Sequence, residues 1–425
     1  MNRRNIGFCV SAIFVALVVA PLSDTAQARS QVGPPRPAVK IEFTSDAFKA
    51  AEFNDVQRYG LPDGAITFLR EHDSIRVWMP TGDGGNSIEL QTDDLHHFRS
   101  SVTPAPWVLS PIAGSWESNY TGISKVLRLP SGQLVALYQA EEHPCGGQVA
   151  GVSIAMATSD DDGATWSRRG QILTSPAITK TSCDDMVFHG NYSFSATVEP
   201  TGQYVYLWFS QGSDESWDDG LGGLRIARAP LSSGLLPGTW EKWYQGNWTQ
   251  PGLGGRASQT LATPTPQWSP DPEISNEFAA IPSVTWNTAF NIYIAVFTTM
   301  TGFWYATSPD GMRWSDGEQL LKHKVFISSN RSPDEAWVYY PTLIDPTALT
   351  DGYSSTTGLL FYAFTPTGFA HEMMGREVKI SSVAPSLPAT GAKPNFVLYI
   401  SFVLMAMGLA TSCYRKVLPL RNYSS

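Results

Sequence analysis

The chain repeats one arrangement of apolar and polar positions. A short alternating run is followed by a turn and then by a second, more apolar run. "GAITFLREHDSIRVWMP", Gly64 to Pro80, is the first copy, and "GISKVLRLPSGQLVALYQA", Gly122 to Ala140, is the second. "YSFSATVEPTGQYVYLWFSQ" (Tyr192 to Gln211) and "IPSVTWNTAFNIYIAVFTT" (Ile281 to Thr299) are the third and fourth. The fifth, Tyr339 to Phe364, has a longer turn. Such runs predict β-hairpins, with "PSG" and "PTG" as turn chemistry. A third strand follows each of the first four hairpins and ends in a polar turn and an aromatic residue, as in "VSIAMATSDDDGATW" and "FWYATSPDGMRW". No segment between the two ends of the chain has a long helical period.

Repeated strand sets of this size predict an all-β chain folded as a β-propeller, a ring that leaves only short protected edges. Five copies predict five blades, with a six-bladed ring as the alternative. "AVKIEFT", Ala38 to Thr44, is expected to add a strand to the last blade and close the ring.

The acidic turn "TSDDDGATW" carries the most specific motif. Ser159, Asp161, Gly163 and Trp166 match the Asp-box, or BNR, repeat of sialidases and related propellers. Ser308, Asp310, Gly311 and Trp314 form a version one residue shorter, and Thr92, Asp94 and Phe98 a degenerate third. The resemblance implies a structural turn on the outside of a blade. Its aspartate would satisfy backbone donors that a turn leaves open, and the three aspartates would not be catalytic.

Composition narrows the function. A formal net charge of -9 argues against a nucleic-acid partner. Aromatic residues are plentiful (14 Trp, 16 Tyr, 20 Phe) and could either fill a large β core or stack on sugar rings.

The two ends predict export. Residues 1–28 have a basic leader, an apolar middle and a small-residue exit, the form of a signal peptide. The body, 38–382, is followed by a short linker, 383–395, that contains "LPATG" with Leu387, Pro388, Thr390 and Gly391. Phe396 to Tyr414, about 19 residues, is long enough to cross a bilayer, and 415–425 forms a basic cytoplasmic tail. Motif, span and basic stop resemble the cell-wall sorting signal of Gram-positive surface proteins. That resemblance implies sortase as a partner, cutting between Thr390 and Gly391. A plain C-terminal membrane helix is the other reading. Either way the body is displayed outside the cell. There Cys145 and Cys183 are expected to pair, closing a loop worth on the order of 3–4 kcal/mol.

Ligands of a propeller usually lie over its axis, reached by loops leading into the innermost strands and by loops joining second to third strands. Those positions hold Asp63, Glu141, Glu142, Asp185 and Glu215, the candidate catalytic carboxylates. Glycoside cleavage needs one protonated and one ionised carboxyl group. His143, His189, Trp217, Arg256 and Tyr339 are candidate substrate-binding residues. No cofactor is required by this chemistry, and a bound calcium ion is left open. The body resembles two families of secreted glycosidases. Five-bladed arabinanases and β-xylosidases imply two aspartates and a glutamate acting on a neutral sugar. Six-bladed sialidases imply three arginines, a Tyr/Glu pair and an Asp acid, with Tyr339 or Tyr340 as the tyrosine. The five copies favour the neutral-sugar glycosidase. A propeller that only binds glycans, or a protein-interaction scaffold, is the alternative of a different class.

Overall fold

The computed structural model describes residues 37–71, 74–144, 151–176, 189–211, 223–261, 279–325, 334–367 and 371–383. The signal segment, the LPATG motif and the C-terminal apolar span lie outside these residues, as do Cys145, Cys183, Asp185, Glu215 and Trp217. Among the described residues the only α-helix is the single turn Phe53–Val56.

Each expected hairpin forms the two inner strands of a four-stranded antiparallel blade. Blade 1 comprises Thr67–Glu71, Ser74–Pro80, Ser87–Thr92 and Trp107–Leu109. Blade 2 comprises Tyr120–Arg128, Leu134–Glu142, Gly151–Ser159 and Ser167–Leu173. Blade 3 runs His189–Val198, Tyr204–Gln211, Leu224–Pro230 and Glu241–Tyr244, with Asn247–Pro251 added outside. A two-residue parallel pairing of His189 and Gly190 with Gly151 and Val152 links blades 2 and 3. Blade 4 comprises Ala280–Asn287, Ile292–Thr299, Gly302–Ser308 and Glu318–Lys322. Blade 5 takes Trp337–Ile344, Thr357–Thr365 and Glu372–Ser382 from the end of the body, and its fourth strand, Val39–Phe43, from the start. The register Val39↔Ser382 to Phe43↔Val378 closes the ring with the strand expected from "AVKIEFT".

The core is five layers, one at each seam between blades. Trp78 and Leu69 of blade 1 meet Leu134, Ala136 and Tyr138 of blade 2. The alternate residues Val135 and Leu137 face blade 3, where they meet Phe194, Val205 and Leu207. Trp208 and Ile226 then pack on Val284 and Ala295 of blade 4, while Ile294 and Val296 pack on Leu343 and Leu360 of blade 5. Phe361 and Ile344 return to Phe68 and Val77 of blade 1. A second strand buried on both faces has no polar side to show, which is why those runs read as more apolar than their neighbours.

An innermost strand has a bare edge toward the axis, and its N–H groups need acceptors. Hydroxyl groups of adjacent blades supply several. Thr67 Oγ1 accepts from Val126 N (3.0 Å), Ser195 Oγ from Val284 N (2.9 Å), and Ser283 Oγ from Leu343 N (2.8 Å). Thr342 Oγ1 accepts from Ile66 N at 3.3 Å.

Antiparallel order sorts the loops between two rims. Loops leading into innermost strands share the upper rim with the joins between second and third strands. The other turns share the lower rim. The longer turn of the fifth hairpin crosses the lower end of the axis and touches the other four blades. Leu349 O accepts from Arg70 N of blade 1 (2.8 Å), and Asp351 Oδ2 from Lys125 Nζ of blade 2 (2.9 Å). Gly352 O accepts from Thr197 Oγ1 of blade 3 (3.0 Å), and Tyr353 and Ser354 pair with Trp286 and Asn287 of blade 4. This segment plugs the lower end of the ring and leaves the upper mouth as the open end.

Candidate functional site

Bulges in four innermost strands shape the upper mouth. Register shifts fall between Ile123 and Lys125, Tyr192 and Phe194, Ala280 and Ser283, and Tyr339 and Thr342. Three of the bulged residues have positive φ: Ser193 at 36°, Ile281 at 54° and Tyr340 at 55°. Such backbone costs energy in a non-glycine residue and clusters where side chains are re-aimed. All three residues line a cavity of about 820 Å³ over the axis.

Asp63 stands in this wall, just before the first innermost strand. Its N–H donates to Pro80 O (3.0 Å), and its carbonyl accepts the hydroxyl of Tyr120. Tyr340 Oη donates to Asp63 Oδ1 at 3.1 Å. Burial pushes the Asp63 carboxyl up to about 7, the nearby Glu141 adds to the rise, and the Tyr340 hydrogen bond opposes it. The hydroxyls of Tyr120 and Tyr340 are driven well above the ordinary tyrosine value, first by burial and then by Asp63. Both phenols therefore stay protonated and act as donors.

Glu141 is nearly buried at the end of the second strand of blade 2, directly opposite Tyr120. Gln139 Nε2 donates to its Oε1, and His143 Nε2 lies 2.6 Å from its Oε2. Gln139 is itself fixed, because its Oε1 accepts from Ser193 N at 2.6 Å. His143 is tied to the next loop through its N–H, which donates to Asn119 Oδ1 at 2.9 Å. Both carboxylate oxygens of Glu141 thus have partners within blade 2, and Gln139 links the set to blade 3.

The blade 5 side of the wall, next to Asp63, is aromatic. Trp337 and His371 stack edge to face at 4.8 Å, and Tyr339 and Tyr340 at 4.6 Å. Burial pulls His371 below the ordinary histidine value, so its ring is neutral at pH 7. Among the described residues lining the cavity there is no lysine or arginine.

Of the sequence candidates, the cavity brings together Asp63, Glu141, His143 and Tyr339. Glu142 turns outward and is exposed, because consecutive strand residues face opposite sides. Arg256 is exposed in the turn after Asn247–Pro251 and does not line the cavity. His189 opens the first strand of blade 3, but its side chain lies outside the described residues, together with Asp185, Glu215 and Trp217. Tyr120, Gln139, Trp337 and His371 were not singled out from the sequence. Gln139 was within reach, since it lies two residues before Glu141 and so shares its face.

The acidic turns stand on the other rim. Asp161 Oδ1 accepts from Thr165 N (2.9 Å) and from Ser159 Oγ (2.8 Å), and its Oδ2 accepts from Thr165 Oγ1 (2.6 Å). These bonds, led by the Thr165 hydroxyl, lower the Asp161 carboxyl to about 2. Gly163 has φ 86° and donates its N–H to Ser159 Oγ at 2.7 Å, while Trp166 packs on the seam between blades 1 and 2. In the shorter turn Asp310 Oδ1 accepts from Met312 N and Arg313 N at 2.9 and 2.8 Å. Gly311 has φ 78° and donates its N–H to Ser308 Oγ at 2.8 Å, and Trp314 packs on the seam between blades 3 and 4. A second hollow on this rim, about 750 Å³ and lined by Leu129, Gln133, Tyr204 and Leu231, has no carboxylate in its wall.

No family model matches the chain, and no curated protein matches it in sequence. Its fold has relatives among solved structures. A thermostable family-43 glycoside hydrolase is 11% identical with a TM-score of 0.45, covering 79% of this chain and 100% of that one. An α-L-arabinofuranosidase from Lactobacillus brevis is 13% identical with a TM-score of 0.47, covering 75% and 91%. A family 117 glycoside hydrolase from Zobellia galactanivorans is 9% identical with a TM-score of 0.48, covering 87% and 98%. The chain thus has a distant structural similarity to glycoside hydrolases.

Proposed function

We propose that the protein hydrolyses a glycosidic bond, with Asp63 as proton donor and Glu141 as its ionised partner. The observation that supports this most is the unequal setting of the two carboxyl groups in one cavity. Asp63, raised to about 7, keeps a proton near neutral pH. Glu141 is held at both oxygens by Gln139 and His143. Glycoside cleavage asks for that division of labour: one acid to protonate the leaving oxygen, one carboxylate to act as base or nucleophile. Tyr340 serves as a donor that orients Asp63 and, staying protonated, is a poor nucleophile. A wall with two carboxylates and no described cation suits a neutral sugar better than an anionic one. Trp337 and the tyrosines offer the apolar faces on which a sugar ring stacks.

Asp63→Asn and Glu141→Gln, assayed on a panel of aryl glycosides, test the reading. Each is expected to lose about 10²–10⁴-fold in kcat/KM. Asp63→Asn alone is expected to recover on substrates whose leaving group needs no proton. Full activity in both variants overturns the proposal. Sugar binding without product release from the wild-type protein favours a glycan-binding propeller instead.

We also infer that the domain is displayed outside the cell, on the strength of the leader, the LPATG motif and the apolar span that follows it. Recovery of the protein in the cytoplasmic fraction with residues 1–28 still attached would contradict this. Attachment to the wall through Thr390 is tested by replacing Thr390 with alanine, which should release the protein from the wall fraction.

A further inference from the structure

Beneath the main cavity, and sharing part of its lining, lies a small, partly open chamber of about 10 Å³. It is the space left where the bulged strands part. Ser193, Ile281 and Tyr340, the three residues with positive φ, all line it, together with Asp63, Ser124 and Gln139. Ser124 also sits at a register shift, between Ile123 and Lys125. Four bulges therefore converge on one small polar space.

A volume of this size is about one water-sized probe, and a buried water needs two to four polar partners. The chamber supplies them. Ser124 is 7% exposed and lines the chamber, and its hydroxyl has no hydrogen bond among the described residues. Ser193 is half-buried, and its hydroxyl likewise has no hydrogen bond among the described residues, only its N–H being bonded, to Gln139. Asp63 has one carboxylate oxygen on Tyr340, and the other has no partner among the described residues. Buried hydroxyls and carboxylate oxygens are seldom left unsatisfied. The other titratable groups nearby are Tyr120, Tyr340 and Glu141, which are hydrogen-bonded within the protein.

We propose that this chamber holds one resident water molecule, hydrogen-bonded to Ser124, Ser193 and Asp63, which completes the hydrogen bonding of the Asp63 carboxyl group and fixes its orientation. Ser124 and Ser193 are then positioning residues that act on Asp63 through the water. Occupancy of the chamber does not depend on the glycosidase reading; only its catalytic meaning rests on it.

High-resolution density of the wild-type protein is expected to show a single water within hydrogen-bond distance of all three side chains. Ser124→Val fills the chamber with methyl groups and should expel it. Losing a donor to the ionised carboxylate should then raise the Asp63 titration, followed by carboxyl NMR without substrate, by roughly one unit. Ser124→Thr, which keeps the hydroxyl, should restore part of the shift. An empty chamber in the wild-type density overturns the proposal, as does a peak with the short, numerous contacts of a cation. An unmoved Asp63 titration in a folded Ser124→Val protein does so too. A protein that holds the water but cleaves no glycoside overturns only the enzymatic reading.

Discussion

The upper mouth and the lower turns of this propeller use the same side chain in opposite ways. Asp161, in a lower turn, has both oxygens engaged by turn donors, which lowers its carboxyl to about 2. Asp63, at the mouth, has one oxygen on a phenol, sits in partial burial beside Glu141, and is raised to about 7. Donors set the first, where the turn is exposed and desolvation is slight, and desolvation outweighs a single donor in the second. The lesson is that an acidic cluster in a sequence says little until its donors are counted. "SDDDG" has the higher density of charge, and its central aspartate is fully committed to holding a turn. A third carboxylate, Asp351, shows the remaining case: buried, yet paired with Lys125 and bonded to Thr67 Oγ1 at 2.6 Å.

The largest contrast should appear in turnover. Asp63→Asn and Glu141→Gln are expected to lose about 10²–10⁴-fold, while Asp161→Asn and Asp310→Asn keep kcat/KM near the wild-type value. Equal losses at both rims would break the comparison. Next in size is the plug. Lys125→Met leaves Asp351 buried without its cation and should cost about 3–5 kcal/mol in a denaturant titration.

Stability should then depend on pH with opposite signs at the two rims. Asp63 is raised, so the folded protein holds a proton that the unfolded chain releases above about 3.9. Stability therefore falls as pH rises from there to about 7. Asp63→Asn should remove that loss, raising stability above pH 7 by about 2–4 kcal/mol and changing little at pH 3. Asp161 is lowered, so its contribution is present above about 3.9 and disappears as pH falls through about 2. Asp161→Asn should lower the melting temperature slightly at neutral pH, and the difference should vanish in acid. The smallest effect is a shift in the pH–rate profile. Its alkaline limb should lie near pH 7, where Asp63 loses its proton, and Tyr340→Phe should move it upward by removing the donor that favours the ionised form.

Much of the ring was legible in the chain because propeller blades repeat a local pattern. The five hairpins, the longer turn of the fifth and the closing strand at Val39–Phe43 each follow from strand alternation and turn residues. The positions of Asp63 and Glu141 followed from the same logic, since it locates the loops that face the axis. Alternation could also have separated Glu141 from Glu142. What lay beyond reach was the wall around them. Tyr120 and Gln139 come from blade 2 and Trp337 and His371 from blade 5, and three of the bulges place non-glycine residues at positive φ. A bulge is a one-residue offset between paired strands, and no apolar period records it. The Lys125–Asp351 pair was hidden for a related reason, because its partners are 226 residues apart and meet only when the fifth hairpin turn crosses the axis.

The most direct measurement is the carboxyl NMR titration of Asp63 in the wild-type protein and in Glu141→Gln. A midpoint near 7 that drops when the Glu141 charge is removed is the expected result. A midpoint near the ordinary aspartate value of about 3.9, unchanged by the substitution, would contradict the assignment of Asp63 as the proton donor.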